Sequence, residues 1–211
     1  MNGAVMKVKV CGITNRRDAL MCQSAGADAL GFIFYKGSKR FVDPKKAAAI
    51  INKLSPFIMK VGVFVNESPE FVNGTAEEIG LNAVQLHGDE SPETASQIKF
   101  PVIKSFRIKE GFNFSMLKKY GRASFLLDTH SASEYGGTGN SFSWGVIPEE
   151  IRNEIILAGG VSAANISQII ETINPAAVDL SSSLEEKPGI KDEEKVKTFF
   201  KIINNYRSLR W

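Results

Sequence analysis

Cys11 ends the run Lys7-Val8-Lys9-Val10-Cys11 and stands directly before Gly12-Ile13-Thr14. Strand alternation puts Val8 and Val10 on one face and Lys7, Lys9 and Cys11 on the other. A lysine on the cysteine's face is unusual for a strand that only packs. The carboxyl end of a strand, where the chain turns, is where α/β proteins place chemistry. A thiolate there serves as nucleophile or base once nearby positive charge lowers its pKa from about 8.5, and Lys9 is a candidate source. Asp128 ends the apolar run Phe125-Leu126-Leu127. A carboxylate emerging from such a run is desolvated and holds its proton better, as a general acid requires. The plain alternatives are an inert cysteine and an aspartate that caps a helix or pairs with a cation.

Other strand ends carry polar residues too. Gly159-Gly160-Val161-Ser162 follows an apolar run and precedes a helical pattern, so backbone N–H groups and a helix start offer themselves to an anion. Ser181-Ser182-Ser183 can add hydroxyl and amide donors from the next loop. Arg40, near Lys36 and Lys39, could fork onto a carboxylate, or be a solvated loop charge. His87 and Arg107 end two further runs, Asn66 follows another, and a hydrogen bond that orients the site is the plainer role for His87. Gly136-Gly137-Thr138-Gly139 is expected to form a mobile loop that closes over the site. Cys11 has no partner at metal-ligand spacing, and the two histidines, His87 and His130, are far apart, so no metal is expected. Cys22 reads as a small core residue.

These positions need a scaffold that brings eight strand ends together. Short apolar runs lie at Met6–Val10, Ala29–Phe34, Lys60–Val65, Ala83–His87, Val102–Arg107, Ser124–Asp128, Ile155–Ala158 and Ala177–Ser181. Between them, Asp43-Pro44, Ser68-Pro69 and Ser91-Pro92 each set a cap before a proline suited to the first helical position. Ser162 and Asp192 are expected to open two further helices, and Gly26, Gly80 and Gly121 to end three. Eight such units in 211 residues fit a (β/α)8 TIM barrel, one domain over residues 1–211. A doubly wound open sheet would leave two or three runs unexplained. In a barrel, the loops after strands seven and eight commonly bind phosphate.

Composition narrows the partners. A net charge of +3 without a basic run speaks against nucleic acid, and no apolar run spans a membrane. Two cysteines make no disulfide framework, and the first residues lack signal-peptide character. The expectation is a cytoplasmic protein acting on a small molecule, as monomer or homodimer.

Lys9-Val10-Cys11-Gly12-Ile13-Thr14, Gly26-Ala27-Asp28-Ala29-Leu30-Gly31-Phe32 and Val61-Gly62-Val63-Phe64-Val65-Asn66 occur in order. They are followed by Gln85-Leu86-His87-Gly88-Asp89, Leu127-Asp128-Thr129, Ala158-Gly159-Gly160 and Val178-Asp179-Leu180-Ser181-Ser182. Together they resemble the phosphoribosylanthranilate isomerases of tryptophan biosynthesis. The resemblance implies a cofactor-free Amadori rearrangement of N-(5-phosphoribosyl)anthranilate to 1-(2-carboxyphenylamino)-1-deoxyribulose 5-phosphate. It implies Asp128 as general acid, Cys11 as general base and Arg40 on the anthranilate carboxylate. His87 and Asp179 would also meet substrate, and Gly159, Gly160, Ser182 and Ser183 would hold its phosphate. Ser183 stands where the family usually has glycine, and His130 where it often has tyrosine or serine. Two rivals remain: a phosphosugar synthase, expected to need lysines at strand ends, and a barrel that binds a phosphosugar without turning it over.

Overall fold

Each of the eight apolar runs forms a strand, and the strands close on one another in chain order. The computed structural model describes residues 5–109, 111–128 and 144–209. The strands are β1 (Lys7–Cys11), β2 (Ala29–Ile33), β3 (Met59–Phe64), β4 (Ala83–Leu86), β5 (Val102–Arg107), β6 (Ser124–Asp128), β7 (Ile156–Ala158) and β8 (Ala177–Leu180). All neighbours pair in parallel, and β1 pairs with both β2 and β8, so the sheet is a closed (β/α)8-type barrel. The open sheet is excluded.

Helices form where the caps ask for them. Asn15 accepts a bond from the Asp18 amide ahead of α1 (Arg16–Ala25), and Asp43 does the same for α2 (Pro44–Ile51). Ser68 and Ser91 cap α3 (Pro69–Ile79) and α4 (Pro92–Ser96), each with proline in first place. Asp192 caps α6 (Glu193–Ser208). Two expectations need correction, and one element was not expected. The helix after β7, α5, is Ile166–Thr172, so Ser162 does not open it. The fifth connection is a 3-10 segment, Phe114–Tyr120, and the described part of the sixth holds two more, Trp144–Val146 and Glu149–Glu154. A two-stranded hairpin, β9 (Glu185–Lys187) with β10 (Ile190–Lys191), follows β8 unannounced. The glycine-rich stretch at 136–139 lies outside the described residues.

Period-two alternation sorts each strand into an outer and an inner face. Val8, Val10, Leu30, Phe32, Phe64, Leu86 and Leu127 point outward, pack beneath the helices with Phe199 and Phe200 of α6, and are fully or almost fully buried. Ala29, Val61, Ala83 and Ile103 point inward and fill the lower barrel, and Leu126 and Ala158 continue this apolar surface up to the cavity. The same parity carries Cys11, Gln85, Asp128 and Asp179 to the inner face near the strands' carboxyl ends. Packing below and chemistry above follow from one alternation.

Candidate active site

The inward positions surround a cavity of about 320 Å³ at the carboxyl end of the barrel. All nine residues singled out as site residues line it. Cys11 and Asp128 come from the ends of β1 and β6, Arg40 from the loop after β2, and His87 from just beyond β4. Gly159, Gly160, Asp179, Ser182 and Ser183 close the wall from β7 and β8. Cys11 and Ser183 stand 172 positions apart in the chain; barrel closure brings all nine to one cavity.

Lys9 lies below Cys11, almost fully buried, and its ammonium is 2.8 Å from Asp179 Oδ2. The registers Lys9↔Asp179 and Cys11↔Gly31 set this up on adjacent strands. Gly31 leaves the room: a Cβ there would come within 2.7 Å of Cys11 Sγ and 3.2 Å of Lys9 Cε. Burial acts to lower the Lys9 pKa, but Asp179 and Cys11 outweigh it and hold the ammonium above its ordinary value. For Cys11 the positive charge expected nearby is present, but it does not prevail. Burial dominates and pushes its thiol up, although Lys9 and Lys191 pull it down and Asp179 adds to the rise. The raised pKa favours the protonated thiol at pH 7.

His87 is held by Gln85, whose Nε2 lies 2.9 Å from the ring Nδ1. With the amide donating, the ring proton sits on Nε2. Burial lowers the His87 pKa, the nearby Lys9 and Arg107 charges add to that, and Asp128 and Asp179 oppose it. The imidazole is neutral at pH 7.

Arg40 is not a solvated loop charge, nor is its whole fork open. Its Nε lies 2.9 and 3.0 Å from the two oxygens of Glu185, and its Nη2 2.6 Å from Oε2. Glu185 in turn accepts from Lys191 Nζ at 3.0 Å, and that ammonium also reaches the Cys11 carbonyl at 2.7 Å and the Ser181 carbonyl at 3.2 Å. Reading the sequence alone missed Glu185, Lys191 and Gln85. Parity could have shown Gln85, which shares an inner face with Ala83 and His87.

Gly159 and Gly160 have φ of +83° and +72°, a conformation that a side chain would strain. Asn165 braces their loop, accepting from the Ser162 amide and donating to the Gly160 carbonyl, both at 2.9 Å. Because α5 starts only at Ile166, the donors near the cavity are loop amides rather than a helix start. Four buried polar atoms of the cavity wall have no partner among the described residues: Gln85 Oε1, Asp179 Oδ1, Ser181 Oγ and Ser183 Oγ. Buried polar atoms are rarely left so, and here all four line one cavity, Gln85 from β4 and the others from β8 and the loop after it. Among the described residues no group of three His, Cys, Asp or Glu could hold a metal ion.

Lys104 of β5 points out of the barrel. Its ammonium is 2.9 Å from Glu90 and 2.6 Å from the Gly88 carbonyl. It offers the cavity no synthase-like lysine.

Comparison with known proteins agrees with this geometry. Residues 8–202 match the family model for N-(5'-phosphoribosyl)anthranilate (PRA) isomerase. The N-(5'-phosphoribosyl)anthranilate isomerase of Pelobacter propionicus is 45% identical over 205 residues, which is 97% of this chain and 98% of that protein. The crystal structure of phosphoribosyl anthranilate isomerase from Thermotoga maritima superposes with a TM-score of 0.86 at 40% identity, covering 95% of this chain and 99% of the other. A phosphoribosyl anthranilate isomerase solved in complex with reduced 1-(o-carboxyphenylamino)-1-deoxyribulose 5-phosphate gives 0.84 at 38% identity, with the same coverage. The chain belongs to the N-(5'-phosphoribosyl)anthranilate isomerase family.

Proposed function

We propose a division of labour within the cavity for the isomerisation of N-(5-phosphoribosyl)anthranilate to 1-(2-carboxyphenylamino)-1-deoxyribulose 5-phosphate, the tryptophan-pathway reaction of this family. Asp128 protonates the ribose ring oxygen as the C1′–O bond breaks, leaving a Schiff base with positive charge on nitrogen. Cys11 acts as the thiolate, its thiol proton having passed to solvent beforehand; it takes the C2′ proton, and the C2′–H electron pair flows toward that nitrogen to give an enolamine. Protonation at C1′ and loss of the C2′ hydroxyl proton then complete the ketone. Burial opposes the thiolate that this step needs, and Lys9 and Lys191 favour it. The Schiff-base cation brings positive charge to a thiol that Lys9 already favours as thiolate, offsetting what burial withdraws.

Arg40 takes the anthranilate carboxylate, and His87, a neutral Nε2–H donor, and Asp179 contact the sugar and amine. The loop amides of Gly159 and Gly160 hold the phosphate with Ser182 and Ser183. One observation carries the reading: the cavity that Cys11 and Asp128 line is also lined by four buried polar atoms without partners among the described residues. A polar ligand seated there would satisfy them. The relative solved with a reduced product analogue shows that a homologous barrel accepts such a ligand.

The enzyme works in the cytoplasm on this small molecule, without cofactor, nucleic acid or membrane, as monomer or homodimer. Among the described residues, no helix is long and apolar enough to cross a membrane. The Thermotoga maritima isomerase is dimeric, and here Phe57, between β2 and β3, is 97% exposed.

The test is the decay of anthranilate fluorescence when freshly made substrate meets the protein. Cys11→Ser and Asp128→Ala should each lower turnover at least a hundredfold, the scale of a lost general acid or base (~10²–10⁴). Both should still bind the reduced product analogue. A variant with native turnover loses its assigned role.

A further inference from the structure

Glu185 does not line the cavity, yet it holds the residue assigned to the substrate carboxylate. It opens β9, 145 residues along the chain from Arg40. Its side chain is 3% exposed, against 24% for Arg40. The contact is side-on: Nε and Nη2 face the two carboxylate oxygens. A guanidinium has five N–H donors in one plane. Side-on pairing leaves the end-on edge, formed by Nη1 and the second Nη2 hydrogen, which matches a second carboxylate.

Everything around Glu185 keeps it in place. The Gly189 amide donates to Oε1 at 3.2 Å, Lys191 donates at 3.0 Å, and Lys195 Nζ holds the Glu185 carbonyl at 2.7 Å. Thr14 donates to the Gly189 carbonyl at 2.5 Å, tying the hairpin turn to the loop after β1. Burial would raise the Glu185 carboxyl, but Arg40 and Lys191 outweigh it and keep the group ionised below its usual range. The Arg40 stem lies over Gly12, where an added Cβ would meet Arg40 Cδ at 2.7 Å. A long, flexible side chain is thus fixed at its stem and along one edge.

We infer that Glu185 is a positioning residue: it locks Arg40 by one edge so that the other faces the cavity, and this sets the preference for a carboxylated ring. The inference rests on the reading of Arg40 given above. It differs from a hairpin staple in one respect. A staple supports every substrate alike, whereas a positioned fork acts only on substrates that carry the carboxylate.

The experiment compares kcat/KM for N-(5-phosphoribosyl)anthranilate with that for N-(5-phosphoribosyl)aniline, which lacks the carboxylate, in the native enzyme and in Arg40→Ala, Glu185→Gln and Arg40→Lys. Glu185→Gln should lower the anthranilate-to-aniline ratio roughly tenfold to hundredfold, the range of a charge-assisted hydrogen bond. A general loss of fold lowers both rates and leaves the ratio alone. A ratio that holds or rises in Glu185→Gln, while it collapses in Arg40→Ala, overturns the inference and leaves Arg40 in its role. A ratio unchanged in Arg40→Ala removes Arg40 itself. If Glu185→Gln does not fold, Arg40→Lys decides. Its single ammonium keeps Glu185 paired but has no second edge, so the ratio should collapse as in Arg40→Ala, and a native ratio overturns the lock.

Discussion

A buried thiol and a buried ammonium side by side make the chemistry of this barrel depend on a balance of opposing fields. Burial raises the Cys11 pKa and Lys9 lowers it, with burial ahead. Removing the Lys9 charge should therefore push the thiol further up. In Lys9→Met, iodoacetamide labelling of Cys11 should shift its pH midpoint upward relative to the native protein. Cys22 does not confuse the readout, because burial carries its thiol up to about 12. The variant also leaves Asp179 buried without its cation, and breaking such a pair typically destabilises by about 3–5 kcal/mol. A midpoint that stays or falls would mean that Lys9 does not tune the sulfur. Lys9 was half legible: strand parity put it inside, but only barrel closure puts Asp179, 170 residues away, beside it. Glu185 and Lys191 were not legible at all, since each sits in a charged stretch that reads as solvated surface. Nothing local separates buried Glu185 from exposed Glu186.

Elements whose form is set by neighbouring residues were readable, and those set by distant contacts were not. The strands and the proline-led helices follow from apolar runs and caps within a few residues. The loop after β7 does not. Ser162 has a capping side chain, yet its own amide is taken by Asn165, and α5 begins only after that turn. The hairpin of β9 and β10 is equally non-local, because Glu185 and Lys191 hold it to Arg40 and β1. The brace in the β7 loop has a measurable consequence. Asn165→Ala removes two bonds that fix the Gly159–Ser162 backbone. With a hydrogen bond contributing about 1 kcal/mol, the inhibition constant of inorganic phosphate should rise roughly fivefold. An unchanged constant would separate the loop's rigidity from phosphate binding.

At the scale of the whole molecule, Glu90 and Glu185 are buried carboxylates that join segments the strand ladder does not, and both should make the fold sensitive to acid. Glu90 takes the Asn66 amide at 2.8 Å, the Gly88 amide at 3.0 Å and the Lys104 ammonium at 2.9 Å, linking the loops after β3 and β4 to β5. Glu185 links the β2 loop to the hairpin. For both, burial acts to raise the carboxyl pKa, but the bound amides and cations prevail and lower it. A carboxyl lower in the folded than in the unfolded chain contributes stability that is complete above the unfolded value, about 4.3 for glutamate. That contribution is lost as the pH falls through the lower, folded value. The melting temperature should therefore change little between pH 7 and 5 on account of these groups, then drop below about 4.3. Replacing one pair without leaving a lone buried charge isolates its share. In Glu90→Gln/Lys104→Met the acid drop should be shallower than in the native protein, whatever the change at pH 7. Calorimetric scans between pH 3 and 7 read the difference, and parallel curves for the two proteins would show that the Glu90–Lys104 pair carries none of the acid sensitivity.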